Sequence, residues 1–203
     1  MTELIKLIID GIIFIFPAFV ANAAPVFLGK GERWNAPIDG GRVWKDGRRV
    51  LGNGKTIRGF VGGTLSSMIV CVLILALANQ FSYSLALMGY IEQGLLYSIL
   101  HPLGIDFWTN KVFLGLFLGF LLGCGSLIGD LTGSFIKRRY GLQRGESFPF
   151  MDQLGFIFMA LLFVFPVIPW PLYWLIFLVP LTLILHIVLN LGSYIIGMQE
   201  VPF

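Results

Sequence analysis

Charge is scarce in this 203-residue chain: Asp, Glu, Lys and Arg make up 12% of it, against 57% hydrophobic residues. A soluble domain carries about a quarter charged residues, so the balance excludes that class and points to a bilayer. Cysteine is scarcer still. Cys71 and Cys124 both sit in apolar stretches, at a spacing that matches no metal or redox motif, and read as packing residues. No small-residue cleavage site follows the first apolar stretch, and Glu3, Lys6 and Asp10 interrupt it, so a retained first helix is expected rather than a signal peptide. No internal repeat, disordered tail or separate soluble domain is visible. Residues 1–203 read as one polytopic membrane domain.

The charge that is present is concentrated. Of fourteen Lys and Arg residues, eight fall between Lys30 and Arg58 and four between Lys137 and Arg144, leaving Lys6 and Lys111 elsewhere. Basic clusters can bind nucleic acid, but clusters separated by apolar spans read as loops held on the positive side of a membrane. No nucleic-acid partner is expected. Five Trp, six Tyr and nineteen Phe suit lipid-facing and interfacial surfaces.

Crossing the hydrocarbon core takes about 20 mostly apolar residues. Leu7 to Leu28, Phe60 to Asn79 and Val112 to Gly129 meet that length. From Gln153 to Gln199 no Asp, Glu, Lys or Arg occurs, and Pro166, Pro169 and Pro171 interrupt the run beside Trp170, Tyr173 and Trp174. Those features predict a short hairpin at an aromatic belt between a fourth and a fifth helix. Phe81 to Leu100 is apolar but carries Glu92 near its centre, a carboxylate costing a few kcal/mol against lipid. With five helices both basic stretches share one side; a sixth would separate them. The expected fold is therefore all-α with five transmembrane helices, the N-terminus outside and the C-terminus inside. Two charged cytoplasmic loops, about 29–59 and 130–152, would form the active site, and about 80–110 would be an external interfacial or re-entrant segment.

Gly115, Gly119 and Gly123 form a strip on the third helix that admits another helix closely. Its neighbour can belong to this chain or to a second copy, which leaves a homodimer open.

Polar residues at the inner ends carry the candidate chemistry. Gly52, Asn53, Gly54, Lys55, Thr56, Ile57, Arg58 and Gly59 precede the second helix. Glycines let backbone approach a ligand, and a helix N-terminus with Lys favours phosphate. The segment is not a P-loop, because Arg49 stands where the earlier glycine belongs. A flexible basic loop is the plainer alternative. The third helix can continue past Gly129, with Lys137, Arg138 and Arg139 in its last turn and Gly141 after it. Asp130, Ser134 and Lys137 then share one face. Asp152 opens the fourth helix, where Pro149 suits the first turn and capping alone would explain the carboxylate. About 19 residues are needed before the Pro166 turn, which draws the helix start to about Phe150. Asp130 and Asp152 would then lie at similar depth, as two hard oxygen ligands suited to Mg²⁺ held against a nucleotide phosphate. Asn22 and Asp39 are weaker candidates for site support, and His186, deep in the fifth apolar run, reads as a neutral helix residue.

The run Gly54-Lys55-Thr56-Ile57-Arg58-Gly59-Phe60-Val61-Gly62-Gly63, then Gly129-Asp130-Leu131 with Ser134, Lys137-Arg138 and Gly141, resembles the membrane CTP-dependent lipid cytidylyltransferases. Asp152 fits their next acidic position, and the short chain with Asn22 and Asp39 is most similar to the archaeal CDP-archaeol synthase branch. The resemblance covers nearly the whole chain. It implies that the phosphate of an unsaturated isoprenoid ether lipid, 2,3-bis-O-geranylgeranyl-sn-glycerol 1-phosphate, attacks the α-phosphorus of CTP and releases pyrophosphate. It further implies Mg²⁺ on Asp130 and Asp152, CTP phosphates on Gly54, Lys55, Thr56 and Arg58, and Lys137 and Arg138 neutralising phosphate charge, with Ser134, Asn22 and Asp39 completing the site. The bacterial signature has His-Gly-Gly before an Asp-Arg pair and a further Asp. Here Pro149-Phe150-Met151-Asp152-Gln153 occurs instead and Gly155 takes the second acidic place, which suits the archaeal branch. A membrane glycerol-3-phosphate acyltransferase is the alternative enzyme class but needs no Asp130 and Asp152 pair. A small transporter is a weaker alternative without repeats or matching broken helices.

Overall fold

A computed structural model describes residues 2–28, 35–77, 89–104, 110–143, 146, 148 and 150–195. Its helices include α1 (Thr2–Leu28), α2 (Ile57–Leu77), α3 (Leu95–Leu100), α4 (Lys111–Arg139), α5 (Met151–Val164) and α6 (Trp174–Ile195). Three of these are long and apolar enough to cross a membrane, within Ile5–Leu28, Ile57–Leu77 and Lys111–Arg139. Met151–Val164 and Trp174–Leu185 are shorter apolar helices.

Helix α4 is the central element. Over its most apolar window 61% of it is buried, against 33% for α1 and 28% for α2. Glycine explains how one helix takes neighbours on opposite faces. A methyl group on Gly115, Gly119 or Gly123 would lie 2.5–2.8 Å from Val72, Met68 or Ser67 of α2. The strip is therefore filled by this chain's own α2 and offers no face to a second copy. A second strip, roughly 200° around the helix, faces α5: Gly125 meets Met159 and Ala160, and Gly129 meets Gly155 and Phe156. Ile15, Leu118, Leu122, Ile157 and Leu161 fill the space between the helices.

One expected helix end holds and one expected helix start moves. Helix α4 passes Gly129 and ends at Arg139, with Lys137, Arg138 and Arg139 in its last turn. Gly141 then adopts φ +83°, the left-handed conformation expected just beyond a helix. Helix α5 runs only 14 residues from Met151, about 21 Å, rather than 19. Phe150, before it, sits at φ +65°, a turn that a non-glycine residue adopts at a cost. Pro149 lies outside the described residues.

Of the segment expected outside, residues 89–104 are described and contain no helix that can span: α3 is six residues, about 9 Å. Gly94 packs against the Val167 backbone, and Leu96 N–H donates to the Pro166 carbonyl at 2.9 Å. The segment thus docks on the 166–171 turn, at the end of the bundle where α4 begins. Glu92 is exposed. Trp174 is not a belt residue: it is 2% exposed and packs on Phe14 and Tyr90, whereas Tyr173 is the exposed aromatic. Cys71 and Cys124 are buried free thiols.

Candidate active site

All the described basic residues between Arg42 and Arg58 gather at the opposite end of the bundle, and a buried aspartate organises them. Asp39 accepts hydrogen bonds from the backbone amides of Gly41, Leu51 and Gly52 and from Arg49 Nη2 at 2.8 Å. Burial alone would raise its pKa, but the Arg49 guanidinium and these amides outweigh that, holding it well below the usual carboxylate range. Two bridges, Pro37 with Thr56 and Val43 with Arg49, complete a compact fold. Residues 35–56 of the first loop therefore form an ordered unit rather than a flexible connection.

Arginines clamp this unit onto the end of α4. Arg48 donates to the Arg139 carbonyl at 2.6 Å and the Arg138 carbonyl at 3.3 Å, capping orphan acceptors of the helix terminus. Arg139 pairs with Asp46 at 3.0 Å and lies 4.9 Å from the Phe135 ring, against which Trp44 packs edge-on. Arg138 donates to the Leu51 and Leu142 carbonyls. Two basic stretches some 90 residues apart in sequence become one surface.

The carboxylates sit beneath it. Lys55 Nζ lies 2.5 Å from Asp130 Oδ2, and Lys137 Nζ lies 2.8 Å from Asp152 Oδ2. Asp152 also accepts from Phe148 N–H at 2.9 Å and is not the helix cap. The packing register of Gly129 on Gly155 and Gly133 on Met151 puts the two aspartates about 3 Å apart in depth. Ser126 Oγ donates to the Ala18 carbonyl at 2.9 Å. One turn further along the parallel helices α1 and α4, Asn22 stands at the depth of Asp130. Ser134 is buried one turn beyond Asp130 on the same helix.

Thr56 has a structural role, since its hydroxyl accepts from Gly59 N–H at 3.1 Å and caps α2. The Ile57 amide already donates to the Ala36 carbonyl at 3.0 Å. Beside these engaged amides, the Lys55 and Arg58 side chains are the candidate phosphate-binding groups of this turn. Gly54 is exposed in the turn before them. The His186 side chain lies outside the described residues.

Between loop and helix end opens a cavity of about 330 Å³ lined by Arg48, Arg49, Arg138, Gly52, Asn53 and Gln143. Three guanidiniums line it, one of them paired with the Asp39 carboxylate, and this excess of positive charge suits an anion. Among the described residues no group of three or more His, Cys, Asp or Glu side chains could enclose a metal ion. Mg²⁺ does not need one, since it commonly takes one or two carboxylates together with substrate phosphates. The donor chemistry of Asp130 and Asp152 fits that mode, each offering a partly exposed carboxylate.

Reasoning from sequence placed Lys55, Arg58, Asp130, Lys137, Arg138 and Asp152 at this end of the bundle but missed Arg48, Arg49 and Arg139. The signal for Arg48 and Arg49 was only the density of arginine in the first loop, and Arg139 read as a helix-ending residue alone. The family model described as CarS-like, CDP-archaeol synthase, matches residues 4–203. The chain is 39% identical to the CDP-archaeol synthase of Methanococcus aeolicus, over 98% of each chain. It is 40% identical to that of Thermococcus kodakarensis, over 94% of this chain and 93% of the relative. A solved structure, described as an intramembrane enzyme for archaeal membrane lipids biosynthesis, superposes with a TM-score of 0.66 and 31% identity. It covers 91% of this chain and 94% of its own.

Proposed function

The chain belongs to the CDP-archaeol synthase family, and we propose that the paired lysines and aspartates at the charged end of its bundle are where the two substrates of that reaction meet. The protein is a multi-pass membrane enzyme, a CTP-dependent cytidylyltransferase that makes CDP-archaeol from CTP and archaeol phosphate. A family match over residues 4–203 leaves no role for the acyltransferase or transporter alternatives.

In the reaction a lipid phosphate oxygen forms a bond to the α-phosphorus of CTP, and the bond to the β-phosphate oxygen breaks, releasing pyrophosphate. Bringing two anions together is the main obstacle, so positioning and charge neutralisation carry the catalysis. Lys55 and Arg58 hold the triphosphate from the loop side, and Arg138 neutralises charge that grows on the departing pyrophosphate. Lys137, one turn from Ser134, faces the lipid phosphate. Asp39 keeps Arg49 and the loop amides in place, and Asn22 lines the floor at the depth of Asp130. Asp130 and Asp152 would hold Mg²⁺, which would supply positive charge against the phosphate oxygens of the substrates. No protein group needs to become covalently attached to CMP.

The observation that carries this reading is the pair of contacts, Lys55 with Asp130 and Lys137 with Asp152, that tie the first loop, α4 and α5 into one charged centre. Five crossings, with the N-terminus outside, the C-terminus inside and this centre facing the cytoplasm, follow from the positive-inside rule applied to that shared end. Purified protein incubated with labelled CTP, archaeol phosphate and Mg²⁺ should yield labelled CDP-lipid, and a chelator should abolish it. Product formation that persists after complete chelation would remove the metal from the scheme.

A further inference from the structure

Each candidate metal ligand is already occupied by a cation of the protein's own. Lys55 comes from the loop before α2 and reaches across to Asp130 on α4; Lys137 comes from α4 and reaches Asp152 on α5. The four side chains are partly buried, between 14% and 34% exposed, so solvent does not fully screen them. Their formal charges cancel. Without a third acidic group among the described residues, the centre has no negative excess with which to draw in a divalent cation.

We propose that the two ion pairs act as a latch that excludes the divalent cation until a nucleotide arrives, so that cation and triphosphate are bound together. The proposal rests on the reading above, in which CTP is the substrate and Asp130 and Asp152 are the metal ligands. A triphosphate brings about four negative charges to a centre that is neutral by itself. Lysine is a compact charge on a flexible stem, so each ammonium can exchange a carboxylate oxygen for a phosphate oxygen and remain paired throughout. The exchange frees one carboxylate on α4 and one on α5 at the moment when phosphate oxygens can supply the remaining ligands. No bond is made or broken covalently in this step. Its consequence is order: cation binding is weak before nucleotide and strong with it.

The magnitude follows from charge. Each lysine ammonium lies within 3 Å of a carboxylate oxygen that a divalent ion would have to take. In surroundings that solvent screens only in part, displacing that ammonium opposes the ion by a factor of about ten or more for each lysine.

The test uses the full chain in detergent, with Mn²⁺ as the probe and free Mn²⁺ read by electron paramagnetic resonance. The wild type should bind Mn²⁺ at least about tenfold more tightly with an α,β-methylene analogue of CTP than without it. Without nucleotide, Lys55→Met and Lys137→Met should each bind Mn²⁺ about tenfold more tightly than wild type. Adding Asp130→Asn to the first and Asp152→Asn to the second should erase the gain. Lysines that merely staple the helices would give no gain on removal. Equal Mn²⁺ affinity of the wild type with and without the analogue overturns the proposal, even if both lysine variants misfold. Labelled-CTP incorporation by the same preparation separates the two levels. Wild type that makes CDP-lipid yet binds Mn²⁺ tightly alone loses only the latch, whereas failure to make CDP-lipid removes the reading beneath it.

Discussion

Substituting Gly129 by alanine should damage catalysis much more than folding. The added methyl would lie 2.4 Å from the Gly155 carbonyl oxygen and 2.7 Å from the Phe156 Cα, both backbone atoms that cannot rotate away. Ordinary contact begins near 3.4 Å, so α4 and α5 must part by about 1 Å. Overpacking of this kind costs about 1–3 kcal/mol of stability. The functional cost is expected to be steeper because Asp130 is the next residue on α4 and Asp152 lies one turn from the contact on α5. A misplacement of about 1 Å within a site costs on the order of a hundredfold in rate, or about 2.7 kcal/mol of barrier. The assay is labelled CDP-lipid formation alongside thermal unfolding in detergent. Gly155→Ala is the matched control: its methyl would meet Gly129 O at 3.6 Å, an ordinary contact, so activity should stay within about threefold of wild type. A fully active Gly129→Ala enzyme, or equal losses in the two variants, would refute the claim that this helix contact sets the site.

Three further outcomes are expected. Asp39→Asn leaves the part-exposed Arg49 without its buried partner and should expose the 40–52 loop to limited proteolysis, with a cost of about 1.5–3 kcal/mol typical of a lost charge-assisted hydrogen bond. The pH dependence has a definite sign. Because the folded-state pKa of Asp39 is depressed, its contribution is complete above about pH 4, where an unfolded aspartate is ionised. It is lost only as pH falls from there toward the folded value. Protease resistance of the loop should therefore stay flat from pH 7 to about 4. Single cysteines replacing the exposed residues Asn53 and Gln143 should react with an impermeant thiol reagent from the same side of sealed vesicles. Native Cys71 and Cys124 are buried and should stay silent.

Much of the architecture was legible because helices announce themselves locally. Lys137 to Arg139 before Gly141 marked the end of α4 correctly, even though hydropathy alone stops at Gly129, since a cationic last turn and a left-handed glycine act within a few residues. The Gly115 strip likewise foretold a close helix contact. The second strip passed unnoticed because Gly125, Gly129 and Gly133 follow directly after the first and read as its continuation, and their roles separate only when two neighbours are in place. The length of α5 was overestimated because bilayer thickness sets how many residues a crossing needs, whereas the turn at Phe150 fixes where the helix starts. Trp174 matched the composition of a belt, but burial depends on α1 supplying Phe14. Within the site, the residue types were readable and their partners were not. Lys55 and Asp130 are 75 positions apart, and the Arg48 cap on α4 depends on how the first loop folds around Asp39. Sequence spacing carries no trace of such contacts.

The central claim is that the two charged segments form one catalytic centre through Asp130 and Asp152. The most direct measurement is the rate of labelled CDP-lipid formation by Asp130→Asn and Asp152→Asn, each verified as folded by its thermal transition. The account predicts that each variant loses activity by about a hundredfold or more at saturating Mg²⁺. Wild-type activity in either variant would contradict it.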